Sequence, residues 1–410
     1  MMKRRQFLKK IIGTVGLTSF FATESKAFGL FTTSFWKQRA TAAPWLVQSN
    51  TMDYFGSGTW GDTPLGIGAR ACLLGDNTIG MVGGVAGNTN SVCAYITAAA
   101  SGAFTINGQY QPAATYTDSL GDQLEIDCVK STTSNQYYIV WCTGNSSWGL
   151  HAAKINSNAA GTAANTSFII GGQTAGAYPS SGALATAVNS SDQLMIFYYF
   201  PSALRWSLLT STLGVTSSNN TNGSIPTSAF PIAAFSSGTD FFAVCSSTNS
   251  NDVIVVKINS SGTYVTHTVF NLANSLAPAA NNRGEAIYIS STSVIFVWRS
   301  KTGLAVFANY NPTTSTFSTS PMDLGFTNQS TIAVVAAKNS VNQIVVNYGQ
   351  YFKMVDTAGA EVKPLIQVTN VRGGSGGLAF RSTDTKLILV ETINASPEKS
   401  GLSAREFTVS

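Results

Sequence analysis

Short apolar strands separated by polar turns recur along most of the chain. Tyr137-Tyr-Ile-Val-Trp141 is followed by Gly149-Leu-His-Ala-Ala-Lys-Ile155, and Leu194-Met-Ile-Phe-Tyr-Tyr199 by Leu204-Arg-Trp-Ser-Leu-Leu209. Phe241–Cys245 and Val253–Ile258, Val294–Trp298 and Leu304–Ala308, and Ile344–Tyr348 and Phe352–Val355 continue the series. Weaker copies occupy the ends, at Ile79–Val82 with Val92–Ile96 and at Leu387–Val390 with Arg405–Val409. β-branched and aromatic residues dominate these runs, and none holds the 3.6-residue stripe of an amphipathic helix.

The first turn of each unit falls near Asp76-Asn77, Ser134-Asn135, Ser191-Asp192, Gly238-Thr239, Ser291-Thr292, Val341-Asn342 or Thr383-Asp384. Most of these pairs contain the Gly, Asn, Asp or Ser that a tight turn needs, for positive φ or for a side chain that caps its own backbone. Each unit reads as a small, apolar first strand, a tight turn, a strongly apolar second strand, a looser turn and a third strand. Four-stranded units at a spacing of about 40–60 residues are the mark of a propeller, and seven turns predict seven blades.

The final unit stops at Ser410 after its third strand, which would leave an open sheet edge. Pro44-Trp-Leu-Val-Gln-Ser49 is an apolar segment able to supply the missing strand. The expected fold is therefore all-β: a seven-bladed β-propeller over residues 61–410, its last blade closed by a strand from residues 28–60. The architecture resembles the seven-bladed propeller superfamily over about residues 60–410. No WD series, kelch double glycine or sialidase Ser-x-Asp box accompanies it, so the resemblance implies no activity. A long β-sandwich, or two in tandem, is the chief competing arrangement.

Residues 1–27 are of another kind. Lys3-Arg-Arg-Gln-Phe-Leu-Lys-Lys10 forms a basic head, Ile11–Ala22 a weakly apolar middle, and Ser25-Lys-Ala27 a small-residue cleavage site. The middle is shorter than the roughly 20 apolar residues needed to cross a bilayer. Arg4-Arg-Gln-Phe-Leu-Lys9 resembles the twin-arginine (Tat) export signature, with Lys3 where Ser or Thr is usual. That resemblance implies a receptor-read address rather than an anchor, and a periplasmic or secreted protein. Retained instead, the segment would be a basic helix docking on a partner.

The address also accounts for the charge. Of 24 basic and 19 acidic residues, it holds six basic (Lys3, Arg4, Arg5, Lys9, Lys10, Lys26) and one acidic (Glu24), leaving 18 of each. A neutral body lacks the basic face that nucleic-acid binding requires. Only 10% of residues are charged, with Ser, Thr, Asn and Gly taking their place.

Five cysteines leave at least one unpaired within the chain. Cys128 and Cys142 flank the Ser134-Asn135 turn and either face each other as a disulfide or remain buried thiols. With two histidines and no CxxC, no metal and no cofactor are expected.

Candidate chemistry gathers in the loops that enter the innermost strands, which crowd around one mouth of a propeller's channel. These loops carry Trp60, Asp62, Arg70, Asp118, Asp122, Glu125, Tyr178, Asn282-Arg283-Gly284-Glu285 and Asn370-Val-Arg372-Gly-Gly374. Asp62, Arg70, Asp122, Tyr178, Arg283, Glu285 and Arg372 form the candidate ligand site. Its arginines could fork onto a carboxylate or sulfate, and its carboxylates could work on a glycosidic bond. The competing reading is that these residues pair with one another and tie blades together. No Ser-His-Asp or Cys-His set can be assembled.

The composition thus favours an exported, non-enzymatic binding or scaffold protein that recognises a glycan, a surface polymer or a protein partner. A structural or adhesion component of a phage tail or surface appendage, part of a virion or larger assembly, is the first alternative. A glycan-cleaving propeller is the second.

Overall fold

The structure is a computed structural model. It describes residues 44–55, 70–75, 78–86, 91–98, 106–110, 126–143, 147–157, 163–174, 184–199, 203–279, 282–327, 333–369, 371, 376–381, 384–396 and 399–410. The chain divides between Trp45 and Leu46, and the unit Leu46–Ser410 contains every described strand.

That unit begins with β1 (Leu46–Phe55). Blade 1 follows as β2 (Arg70–Leu73), β3 (Ile79–Ala86), β4 (Ser91–Ala98) and β5 (Ile106–Tyr110). Blade 2 is β6 (Ile126–Lys130), β7 (Gln136–Thr143), β8 (Ser147–Asn156) and β9 (Ala163–Thr174). Blade 3 comprises β10 (Leu184–Val188), β11 (Leu194–Tyr199), β12 (Leu204–Leu209) and β13 (Val215–Asn220). Blade 4 comprises β14 (Ala229–Ser237), β15 (Asp240–Ser247), β16 (Asp252–Ile258) and β17 (Tyr264–Asn271). Blade 5 is β18 (Glu285–Ser290), β19 (Ser293–Arg299), β20 (Ala305–Asn311) and β21 (Thr316–Asp323). Blade 6 is β22 (Val334–Lys338), β23 (Ile344–Tyr348), β24 (Tyr351–Val355) and β25 (Glu361–Gln367). Blade 7 runs β26 (Gly377–Phe380), β27 (Lys386–Ser396) and β28 (Lys399–Val409), with β1 as its outer strand.

Each blade is a four-stranded antiparallel sheet. The first strands of neighbouring blades pack in a closed cycle, β2 on β6, β6 on β10, and so on to β26, which returns to β2. These are the innermost strands. Every inner blade has neighbours on both faces, so alternate residues of its second strand serve different interfaces. In β11, Leu194, Ile196 and Tyr198 pack on blade 2, while Met195 and Phe197 pack on blade 4. This double burial is why the second strands read as unbroken apolar runs rather than alternating ones. Trp141, Trp206 and Trp298 are all buried in such interfaces.

The tight turns have the expected stereochemistry. Asp192, Gly238, Asn342 and Asp384 sit at φ of 58, 62, 61 and 55° between first and second strands. The sequence reading missed a repeated device here. Asn189-Ser-Ser-Asp-Gln193 and Asn339-Ser-Val-Asn-Gln343 fold alike: the Asn Oδ1 accepts the Gln N–H at 3.0 and 2.8 Å, and the Asn amide donates to Gln Oε1 at 2.8 and 2.9 Å.

Closure of the last blade by the N-terminal strand is as expected, and the strand is longer than Pro44–Ser49 suggested. β1 pairs with β28 from Leu46↔Val409 to Phe55↔Gly401. Glu406 locks the seam: it pairs with Arg381, lies 3.4 Å from Lys386 Nζ and accepts the Ser49 hydroxyl at 2.9 Å. Burial alone would raise the Glu406 pKa, but Arg381 and Ser49 outweigh it and hold it below its ordinary value.

The disulfide option is corrected. Strands β6 and β7 pair Cys128 with Ile139, so the register carries Cys142 past the end of β6. Cys128 is a free thiol, and its hydrogen-bond partner is Cys72 of blade 1.

Candidate functional site

Three of the seven predicted site residues meet at the mouth where the innermost strands begin. Arg70 opens β2, Glu285 opens β18, and Arg283 lies two residues before it. Asp62, Asp122, Tyr178 and Arg372 fall outside the described residues. The organising group is Asp127 of β6, which the sequence reading left out. Its Oδ1 lies 3.1 Å from Arg283 Nη2 and 3.7 Å from Arg70 Nε, and accepts the Cys128 N–H at 3.0 Å. Its Oδ2 accepts both the backbone N–H and the hydroxyl of Thr186 at 2.8 Å.

The arginines act as ties between blades. Arg283 enters from blade 5 and donates to the Ile126 carbonyl of blade 2 and the Leu184 carbonyl of blade 3. Arg70 of blade 1 donates to the Gly376 carbonyl at the start of blade 7, at 2.7 Å. Both guanidinium groups are buried, which lowers the pKa of Arg70, and the neighbouring charge of Arg283 lowers it further. Burial lifts the Glu285 carboxyl to about 7; Asp127 adds to the rise, and Arg70 and Arg283 oppose it. Asp127 and the two arginines are engaged with one another and with backbone groups of neighbouring blades, an arrangement that fixes the mouth's geometry.

Asp192 makes a second buried node. It projects from the first turn of blade 3 and receives Lys154 Nζ at 2.7 Å, the Ser131 hydroxyl at 2.7 Å, the Thr132 N–H at 2.8 Å and the Tyr138 hydroxyl at 3.0 Å, all from blade 2. Burial favours its neutral form, yet these donors win and its pKa is lowered.

The open space lies at the other mouth, where the innermost strands end. A cavity of about 750 Å3 is framed there by blades 1 to 6. Val129–Thr132, Thr186–Val188, Ala234–Ser236 and Ala286–Tyr288 form its wall, together with Gly75, Ser190, Gly238 and Lys338. Its size lies within the range of small-molecule sites. The sequence reading looked only at the loops entering the strands and so passed over this end. Among the described residues, no group of three or more His, Cys, Asp or Glu side chains converges as a metal site.

No protein-family model matches the chain, and no curated protein matches its sequence. Solved structures do align with it at low identity. The WD40 domain of coronin from Toxoplasma gondii matches at TM-score 0.47 and 9% identity, over 89% of this chain and 88% of that one. A protein of unknown function from Dyadobacter fermentans matches at 0.46 and 9%, over 90% and 100%. Prolyl oligopeptidase B from Galerina marginata matches at 0.46 and 8%, over 82% of this chain and 48% of that one. The chain is a β-propeller. That statement rests on its own seven sheets and their cyclic packing.

Proposed function

We propose that the protein is an exported, non-enzymatic propeller that binds a glycan, a surface polymer or a protein partner outside the cytoplasm, through the cavity at the strand-ending mouth. The contrast between the two mouths carries this reading. At one, Arg70, Arg283 and Asp127 are engaged in ties between blades; at the other, a cavity of about 750 Å3 is lined by apolar side chains, hydroxyls and two lysines. The twin-arginine-like segment supports export, and it lies outside the described residues. No helix among the described residues is long and apolar enough to cross a membrane.

Glycan-array binding by the protein from Phe28 onward tests the binding claim, and N-terminal sequencing of the native protein tests export. A native chain beginning at Met1 would overturn the exported form and favour the alternative of a retained docking segment in a tail or appendage. For glycan cleavage, the observation in favour is that Glu285 is poised near neutrality and lies near enough to Asp127 to feel its charge. Against it, both Asp127 oxygens are already occupied by internal donors. Hydrolysis of a glycan that E285Q abolishes would favour the enzyme.

A further inference from the structure

Among the described residues, the cavity's positive charge is unbalanced. Lys130 ends β6 and Lys338 ends β22, so blades 2 and 6 each contribute a lysine to the lining of one open cavity. None of the described lining residues is acidic. Elsewhere in the unit, Lys301 donates to the Ser250 carbonyl and Asn251 Oδ1, and four lysines find carboxylates: Lys154 with Asp192, Lys257 with Asp240, Lys353 with Glu361 and Lys386 with Glu406. Among the described residues, Lys130 and Lys338 have no such partner. Lys338 makes only a long 3.4 Å hydrogen bond to Asn342 Oδ1. Burial lowers its pKa, and the charge of Lys130 lowers it further, so the two ammonium groups sense each other across the cavity.

Two like charges facing a common space are unfavourable when it is empty and favourable when an anion bridges them. A lysine ammonium acts as a compact point charge, so a pair of them can attract a carboxylate or a sulfate without imposing a bidentate geometry. The rest of the wall fits a sugar. Tyr288, 40% exposed, offers an aromatic ring to the cavity, and Ser190 and Thr132 bring side-chain hydroxyls.

We propose that this cavity takes an acidic sugar residue, its carboxylate or sulfate bridging Lys130 and Lys338. The inference rests on the cavity being the protein's binding site and adds the ligand's chemical class. It explains how a body with no net charge can select an anionic polymer: the selectivity is local to one mouth rather than spread over the surface.

The test is calorimetric titration of the protein from Phe28 onward with three tetrasaccharides: a uronate, a sulfated galactoside and the uncharged galactoside. Wild type should bind one acidic probe at least about tenfold more tightly than the uncharged one, and the preference should shrink as salt rises. K130Q and K338Q should each lose about tenfold for that probe, and K338R should retain most of the affinity, separating loss of charge from loss of fold. The uronate and sulfate arms distinguish the two anionic groups. Equal binding of charged and uncharged probes, or acidic binding unaltered in both Lys→Gln variants, would overturn the inference while leaving the glycan reading intact. Failure to bind any of the three, with no hit on a glycan array, would overturn both.

Discussion

Replacing Asp192 by Asn tests whether blades 2 and 3 are held together by a buried charge. Asn tolerates the positive φ of this position and can still accept from Ser131 and Thr132, so the change falls mainly on Lys154. The paired side chains of Lys154 and Asp192 are only 8% and 11% exposed. Removing one member of a buried pair costs about 3–5 kcal/mol, because the survivor stays charged and desolvated. The turn's edge position and the remaining Lys154 bond to the Ser211 carbonyl at 3.0 Å place D192N at the lower end, about 3 kcal/mol. The unit Leu46–Ser410 should unfold with an entropy of about 0.8 kcal/mol/K, so Tm falls by about 4 °C. K154M should cost less, about 1–2 kcal/mol, since Asp192 keeps three donors. The double variant should lose at least about 1.5 kcal/mol less than the sum of the two single losses. Scanning calorimetry of the four proteins decides the matter. A D192N shift under 1 °C, or strict additivity, would show that the pair contributes nothing to holding the blades.

Four further outcomes follow from other parts of the structure. A Cβ on Gly377 would lie 2.2 Å from the Ala71 nitrogen and 2.5 Å from the Arg70 carbonyl carbon, so G377A should destabilise the contact between blades 7 and 1 by about 2 kcal/mol or more, read as a lower Tm. His151, stacked on Trp141 with centroids 5.3 Å apart, is held neutral by burial with its pKa near 4, below the ordinary 6.5. The unfolded chain therefore binds the extra proton between those values, and stability should fall as pH drops from 6.5 towards 4, by up to about 1.4 kcal/mol per unit; H151F should flatten that slope in denaturant titrations. Glu285 acts in the opposite sense: its raised pKa means stability is lost as pH climbs from 4.5 to 7, so E285Q should gain on wild type at pH 8 relative to pH 5. Peptide mapping without reduction should show no Cys128–Cys142 bond, and treatment with diamide, which takes up the two electrons and two protons released, should join Cys128 to Cys72; a Cys128–Cys142 product would refute the register.

The blades were legible because their second strands are buried on both faces, which writes long apolar runs that loops and surfaces do not imitate. Turn residues fixed the count, since Asp192, Gly238, Asn342 and Asp384 occupy a conformation few residues tolerate. The unit at Leu387–Val409 lacked a fourth strand, and the apolar segment Pro44–Ser49 was able to supply it, as the pairing of β1 with β28 bears out. The site was harder to read. Arg70, Arg283 and Glu285 were identified by position, but whether an arginine serves a ligand or a neighbouring carbonyl depends on which backbone lies across the channel. Asp127 was overlooked because it sits inside a strand rather than in a loop. Lys130 and Lys338 are 208 residues apart, and only the cyclic packing of blades brings them to one cavity.

The seam between β1 and β28 also orders events in time. Leu46 pairs with Val409, a separation of 363 residues, among the longest possible in this chain. Closing a loop of that length costs about 5 kcal/mol of chain entropy, recovered only when the whole sheet forms. During synthesis six blades can assemble while β1, made first, waits for β28, made last. The ring's completion is therefore a late, slow step, and until it happens the protein carries two unpaired strand edges whose proper partners are each other.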